Sequence, residues 1–276
     1  MHDNSFEMKI GVSLLKKTFE KLKILPIAKK NNINYIWKGI YNNYKELPDN
    51  IEPFESAKFL ENTINMTNYI IERGKIMGSV NLDVKDENLL LPLLISAISK
   101  NKSKLKIIDF GGAMGISYVY VKNTISKDID IDYHIIEKKE MCENGRLIFN
   151  GKDNHINFHS SLPFLEQVDL VHINSTLQYI ENYKILLNQL CKYKPEFFVF
   201  IRFGCGDNKT FLTIQQNVED TKIPCYFFNI NEIISIMNEN GYKLTFKGIC
   251  SREYNMDNFP SEFRLKNSAN LLFTKI

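Results

Sequence analysis

Residues 104–115 read Lys-Leu-Lys-Ile-Ile-Asp-Phe-Gly-Gly-Ala-Met-Gly, a short apolar run followed by an acid and a glycine-rich stretch. The run predicts a buried strand that ends at Phe110, and the glycines predict a sharp turn before a helix that starts near Gly115. Because glycine has no Cβ, such a turn lets a ligand approach the backbone and its free N–H groups. Asp109 would repel a diphosphate at this turn, and it favours a ligand with a cationic end.

The glycine spacing separates two classes of nucleotide site. The dinucleotide fingerprint G-x-G-x-x-G fails from both Gly111 and Gly112, because the later glycines that it requires are absent. The pattern of Asp109, Gly111 and Gly115 resembles the first motif of class I methyltransferases that use S-adenosylmethionine (SAM). Ala113 stands in place of the usual central glycine, and Gly112 is an extra one. A glycine turn that merely connects strand and helix is the alternative interpretation.

A second predicted strand, residues 131–137, also ends in an acid. Glu137 lies about 20 residues beyond the turn, where a carboxylate can accept hydrogen bonds from both hydroxyls of a ribose. The arrangement suits NAD and SAM alike, so Glu137 predicts an adenosyl ligand without choosing between them. The alternative is an ordinary charged strand end.

The composition limits the classes of protein. The 276 residues are 44% hydrophobic and 12% aromatic, enough for one large α/β domain with embellishments. A net charge of +3 is too small to argue for a nucleic-acid partner. The five cysteines are scattered without a C-x-x-C pair, which predicts a reducing cytoplasm and no metal site. No apolar stretch is long enough to predict a membrane span.

Strand-like and helix-like segments alternate from about Lys104 onward. The predicted strands lie at 105–110, 131–137, 155–159, 168–174 and 197–203, and the predicted helices near 115–125, 140–149, 180–192 and 230–240. Residues 242–249 and 269–276 add two strands without a clear helix between them, which favours an antiparallel last strand. The expected fold is therefore α/β, a Rossmann-like sheet of the class I methyltransferase type with seven mostly parallel strands.

The first hundred residues differ from the rest. Residues 5–30 carry a basic amphipathic helical pattern, residues 34–44 are rich in aromatic side chains, and residues 57–72 and 87–100 have a helical pattern. We predict that residues 1–100 form a helical cap over the carboxyl-terminal edge of the sheet, where α/β proteins bind ligands. Residues 101–276 would then form the SAM-binding domain.

Four stretches together resemble one family. They are Trp37–Tyr41 (WKGIY), Ile108–Gly112 (IDFGG), Asn174–Ile180 (NSTLQYI) and Thr213–Gln215 (TIQ). From about residue 35 to its end, the chain is similar to bacterial class I methyltransferase-like proteins associated with surface-polysaccharide gene clusters, for capsule or O-antigen. The resemblance implies a SAM-binding fold and a role in decorating a glycan or a glycan precursor. It does not identify the acceptor.

The resemblance also suggests further cofactor contacts. In class I methyltransferases the turn after the third strand usually carries an acid and an apolar residue that hold adenine, and here Ser160, Ser161 and Leu162 occupy it. A serine hydroxyl could meet the adenine amino group, and Leu162 could cover the ring. Asn174 and Ser175, at the tip of the fourth strand, are expected to face the methyl donor.

The candidate catalytic residues are Gln178, Tyr179, Arg202 and Asp207, and the candidate acceptor-binding residues are Trp37, Tyr41 and Arg202. Gln178 could orient an acceptor but cannot remove a proton at neutral pH. Arg202 could clamp an anionic acceptor with two parallel hydrogen bonds, or it could form a rim salt bridge with Asp207. Tyr179 could be a core aromatic residue, and packing alone could explain Trp37. His172, between apolar neighbours, is interpreted as a core or sheet-face residue.

These features favour a SAM-dependent methyltransferase, most simply an O-methyltransferase, that acts on a small polar acceptor. The acceptor would be a sugar, nucleotide-linked or phosphorylated precursor of a surface polysaccharide. Because the donor is already activated, the protein mainly supplies positioning and desolvation. No base stands in a recognisable motif, which mildly favours an anionic acceptor. The alternative function is a non-catalytic binding or assembly protein with the same fold. The glycine spacing disfavours a nicotinamide oxidoreductase, and the oligomeric state stays open.

Overall fold

The computed structural model describes residues 35–49, 51, 57–77, 87–149, 153–216 and 222–276. The basic helix predicted at residues 5–30 lies outside these ranges. Among the described helices, none combines the length and the apolarity needed to cross a bilayer.

The described strands are β1 (Trp37–Tyr41), β2 (Lys104–Phe110), β3 (Asp130–Ile136), β4 (Ile156–His159), β5 (Leu170–Asn174), β6 (Phe197–Phe203), β7 (Cys205–Gly206), β8 (Phe211–Gln215), β9 (Ile223–Asn229), β10 (Tyr242–Glu253) and β11 (Asn267–Lys275). The described α-helices are α1 (Ala57–Met77), α2 (Leu90–Ile98), α3 (Ile116–Thr124), α4 (Lys139–Phe149), α5 (Tyr183–Cys191) and α6 (Ile230–Glu239). Short 3-10 turns lie at Tyr44–Glu46, Glu87–Leu89, Ser99–Asn101, Leu177–Tyr179 and Ser261–Phe263.

The large sheet has seven strands in the order β10-β11-β6-β5-β2-β3-β4. Strands β2 to β6 pair in parallel, whereas β11 is antiparallel to both β6 and β10. This confirms the predicted mostly parallel sheet with an antiparallel last strand. Because β2, β3, β4 and β5 run in the same direction, the turns that follow them meet at one edge.

Both faces of the large sheet are buried. Alternate residues of β2 point to opposite faces, so Ile107 packs in one core cluster with Tyr133 and Ile108 packs in the other with Phe200. Helices cover each face, which explains why the central strands read as nearly continuous apolar runs.

A second sheet was not predicted. It has the order β1-β8-β9-β7, and β1 pairs antiparallel with β8, Trp37 opposite Gln215. Trp37 is buried, and its ring meets Phe227 of β9 edge to face. Within the aromatic segment, Trp37–Tyr41 therefore forms a strand, which was not predicted because its partner lies far away in the sequence. Helices α1 and α2 do occur where helices were expected, and the division of the chain at residue 100 stays a prediction.

Candidate functional site

The turn after β2 needs glycine at two positions. Gly111 and Gly115 have φ angles of +71° and +88°, in the left-handed region that side chains disfavour. A Cβ on Gly111 would lie 2.7 Å from the Cβ of Thr176, and one on Gly115 would lie 2.9 Å from Ile156 Cδ1. The backbone N–H of Gly111 also donates to the carbonyl of Ile136 at 2.9 Å, which ties the turn to the end of β3. The glycines thus let this backbone pack closely against β4 and the segment after β5.

Ala113 completes the turn in a strained conformation. Its φ is +49°, which explains why a glycine is usual at this point of the motif. A left-handed alanine costs about 1 kcal/mol or more. Such strain persists only where the surroundings enforce it, as they do at binding sites.

Glu137 lies directly beside the turn, at the end of β3. Its carboxylate accepts a hydrogen bond from the backbone N–H of Lys138 at 2.8 Å. Burial raises the pKa of Glu137, and the nearby backbone N–H groups of Lys138 and Ala113 oppose the rise. The structure therefore brings together the acid and the glycine turn that the sequence singled out.

Asp109 lies beneath the turn. Its side chain is 0% exposed, Tyr133 Oη donates to Oδ2 at 2.8 Å, and His172 Nδ1 hydrogen bonds to Oδ1 at 2.8 Å. A Cβ on Gly112 would lie 2.5 Å from the carboxylate carbon of Asp109. The carboxylate thus supports the turn from inside and does not face an open cleft.

His172 is buried in β5, as its apolar neighbours indicated. Its Nε2 has no hydrogen-bond partner among the residues that the structure describes. Sequence patterns did not indicate the network of Tyr133, Asp109 and His172, because its members stand on three different strands.

The tip of β5 faces the turn and is also strained. Ser175 has a φ of +53°, and its hydroxyl accepts a hydrogen bond from Gln178 Nε2 at 3.0 Å. Thr176, which sequence reasoning missed, fills the space left by the absent side chain of Gly111. The Asn174 side chain accepts a hydrogen bond from Arg202 Nε at 2.9 Å, so it links β5 to β6.

Arg202 has only neutral partners among the described residues. Its guanidinium donates to Asn174 and, at 3.4 Å, to Asn88 Oδ1, and its backbone N–H donates to Asn270 Oδ1 at 2.9 Å. Its φ of +50° makes it a third strained residue at this edge of the sheet. No ion pair with Asp207 is present, and Asp207 lies exposed in a separate groove. The positive charge of Arg202 is therefore not neutralised by a carboxylate in the described part of the chain.

The other stretches that carried the resemblance meet in one cluster. Tyr179 Oη donates to Gln215 Oε1 at 2.8 Å, Gln215 pairs with Trp37, and Thr213 Oγ1 donates to the carbonyl of Lys38 at 3.2 Å. Packing in the small sheet is therefore sufficient to explain the burial of Trp37. Tyr41 is half-buried against the core of the large sheet.

Gln178 lies inside the protein, 4% exposed, and its Oε1 has no partner within the described ranges. Together with Trp37 and Tyr179 it lines a cavity of about 10 Å³, which has room for one water molecule and not for an acceptor. A direct contact between Gln178 and an acceptor would need a rearrangement of this cluster.

The turn after β4 is more open. Ser160 and Ser161 are exposed, and Leu162 packs partly against the core. Phe164, two residues beyond Leu162, is 92% exposed, a large apolar surface that sequence patterns did not mark. The candidate adenine contacts thus lie at the same edge of the sheet as the glycine turn.

No protein-family model and no curated protein sequence matches the chain. Solved structures do match. A S-adenosylmethionine-dependent methyltransferase from Clostridium acetobutylicum superposes with a TM-score of 0.50 at 11% identity, over 76% of this chain and 99% of that one. The Burkholderia thailandensis 1,6-didemethyltoxoflavin-N1-methyltransferase, solved with S-adenosylhomocysteine (SAH), gives a TM-score of 0.51 at 11% identity. The match covers 90% of this chain and 99% of that one. Magnesium protoporphyrin IX methyltransferase from Synechocystis, also solved with SAH, gives a TM-score of 0.50 at 12% identity. The match covers 80% of this chain and 100% of that one. The chain therefore has the methyltransferase fold.

Proposed function

We propose that this protein binds SAM at the turn Gly111–Gly115 and transfers its methyl group to a small polar acceptor. The observation that carries the proposal is the left-handed glycine turn, which is hydrogen bonded to Ile136 so that Glu137 lies beside it. The methyltransferase fold supports the choice of cofactor, since two of the similar structures contain SAH.

The residues of the site fit such a ligand. We expect the backbone N–H groups of the turn to meet the aminoacyl end, and Glu137 can accept hydrogen bonds from the ribose hydroxyls. Ser160, Ser161 and Leu162 would surround the adenine. When bound, SAM supplies a methyl group on a sulfonium, whose C–S bond breaks as the new bond to the acceptor forms. The protein's contribution is then to position the acceptor and exclude water.

We propose that the acceptor is a sugar, nucleotide-linked or phosphorylated precursor of a bacterial surface polysaccharide, methylated on oxygen. The resemblance of WKGIY and STLQY supports this, and so does the charge of Arg202 among neutral partners, which suits an anionic acceptor. A cytoplasmic location without a nucleic-acid partner stays a prediction.

Titration calorimetry with SAM, followed by methyl-transfer assays on glycan precursors, tests the proposal. Binding with turnover supports it. Tight binding without turnover on any precursor would favour the non-catalytic binding protein, and failure to bind either SAM or SAH would overturn both functions.

Glu137→Ala should weaken SAH binding at least tenfold, about 1.4 kcal/mol, because the ribose hydroxyls lose their acceptor. Calorimetry measures the change. Glu140→Ala is the matched control, since Glu140 is exposed in the first turn of α4, and its affinity for SAH should stay unchanged. Equal affinities of wild type and Glu137→Ala would remove the ribose assignment.

The affinity for SAH should depend on pH through Glu137. Burial raises the pKa of this carboxyl above its ordinary value of 4.5, so its ionised form is lost at a higher pH than for an exposed glutamate. As the pH falls from neutral through this raised pKa, binding should weaken progressively, because protonation removes the acceptor. Glu137→Gln should bind more weakly at the higher pH and show a flatter profile. Parallel profiles for both proteins would assign the pH dependence to another group.

A further inference from the structure

A groove separate from the cofactor turn lies beside β10. It has a volume of about 390 Å³ and is bounded by Cys205–Asn208, by Lys247–Ile249 and by side chains between residues 261 and 269. Small-molecule sites typically measure about 300–1,000 Å³. A Cβ on Gly206 would overlap Leu265, so this glycine lets the two walls approach each other at the base of the groove.

Two ammonium groups at the groove are available to a ligand. Lys247 and Lys266 line it, are exposed, and form no ion pair within the described part of the chain. Arg264 differs, because its guanidinium donates to the carbonyls of Phe259 at 2.6 Å and Asp257 at 2.9 Å and so holds its own loop. The positive charge offered to a ligand therefore comes from the two lysines.

Asn208 and Asp207 also line the groove. Asn208 is 4% exposed, and its Nδ2 donates to the carbonyl of Lys209 at 2.8 Å, whereas its Oδ1 has no partner among the described residues. The neighbouring carboxylate of Asp207 is exposed. Both Asp207 and Lys247 act on the buried thiol of Cys205: burial raises the pKa of Cys205, Lys247 opposes the rise, and Asp207 adds to it. Asp207 and Lys247 therefore both lie near Cys205.

We propose that this groove binds a small phosphorylated polyhydroxy compound. A phosphomonoester carries about −1.5 to −2 charge at neutral pH, which two ammonium groups complement. The exposed Asp207 carboxylate accepts hydrogen bonds from the hydroxyl groups of such a ligand. The inference goes beyond methyl transfer, since the groove can hold this ligand whether or not the protein binds SAM.

Titration calorimetry with glucose 6-phosphate and glycerol 3-phosphate, in the absence of SAM, tests the proposal. At least one of the two should bind about tenfold or more tightly than inorganic phosphate and than glucose, because only the combined ligand can contact both the lysines and the Asp207 carboxylate. The double variant Lys247→Ala/Lys266→Ala should lose at least tenfold in affinity. Lys243→Ala, an exposed lysine on the same strand outside the groove, is the matched control and should bind as the wild type does.

Three outcomes would overturn the proposal. They are no binding of either phosphorylated polyol, binding no tighter than that of inorganic phosphate, and equal binding by the double variant. Circular dichroism of the double variant checks its fold, and because both lysines are exposed the fold should persist. Because none of these titrations contains SAM, a negative result would not contradict the proposed methyl transfer.

Discussion

Gly111→Ala should lower the free energy of unfolding by about 2–5 kcal/mol and abolish measurable binding of SAH. Its φ of +71° penalises any side chain, and the new Cβ would lie 2.7 Å from the Cβ of Thr176. A clash with a Cβ cannot be relieved by rotating the threonine side chain, so the backbone of the turn or of the segment after β5 must move. Urea denaturation measures the stability, and calorimetry measures the binding.

Gly241→Ala separates the cost of backbone strain from the cost of steric overlap with Thr176. Gly241 has a similar φ of +83°, but a Cβ there would meet nothing within 4 Å. Its substitution should cost only about 1 kcal/mol, the share due to backbone strain, and should leave SAH binding unchanged. Equal losses for the two variants would show that Thr176 does not constrain the turn.

Removing the threonine side chain gives a second check on the same contact. In a double-mutant cycle, Thr176→Gly should reduce the stability cost of Gly111→Ala by about 1 kcal/mol or more, since the two groups that overlap are then no longer both present. A coupling energy near zero would contradict the packing argument.

Asp109→Ala should destabilise the fold by about 3–5 kcal/mol. The substitution leaves the Tyr133 hydroxyl and His172 Nδ1 without their acceptor in a fully buried site, each at a cost of about 1–3 kcal/mol. It also removes the support beneath Gly112, so SAH binding should weaken as well. Thermal and urea unfolding measure the first effect, and calorimetry on the folded fraction measures the second.

Two further variants serve as comparisons for Asp109→Ala. Tyr133→Phe removes one of the two hydrogen bonds and should cost about 1–2 kcal/mol. Asp49→Ala changes an exposed aspartate and should stay within about 0.5 kcal/mol of wild type. If Asp109→Ala lowered the free energy of unfolding no more than Asp49→Ala does, the buried network would not contribute to stability.

Local patterns were sufficient for the large sheet. The alternation of apolar runs with helical periods predicted β2 to β6, β10 and β11, because strands buried on both faces read as continuous apolar segments. They also predicted the turn at Gly111 and the acid at Glu137, since both depend on residues next to each other in the chain. Parallel pairing then brings the ends of β2 and β3 together without further information.

Neighbouring residues thus specify the main sheet, its antiparallel last strand and the glycine turn beside an acid. Long-range contacts show that Trp37 pairs with Gln215 in a second sheet, that Asp109 points inward to His172, and that Arg202 has amides rather than acids as partners. The physical reason is that burial, orphaned polar atoms and charge pairing are properties of contacts between distant segments. Hydrophobic periodicity reports only the face on which a residue lies, and it does not identify the side chain opposite.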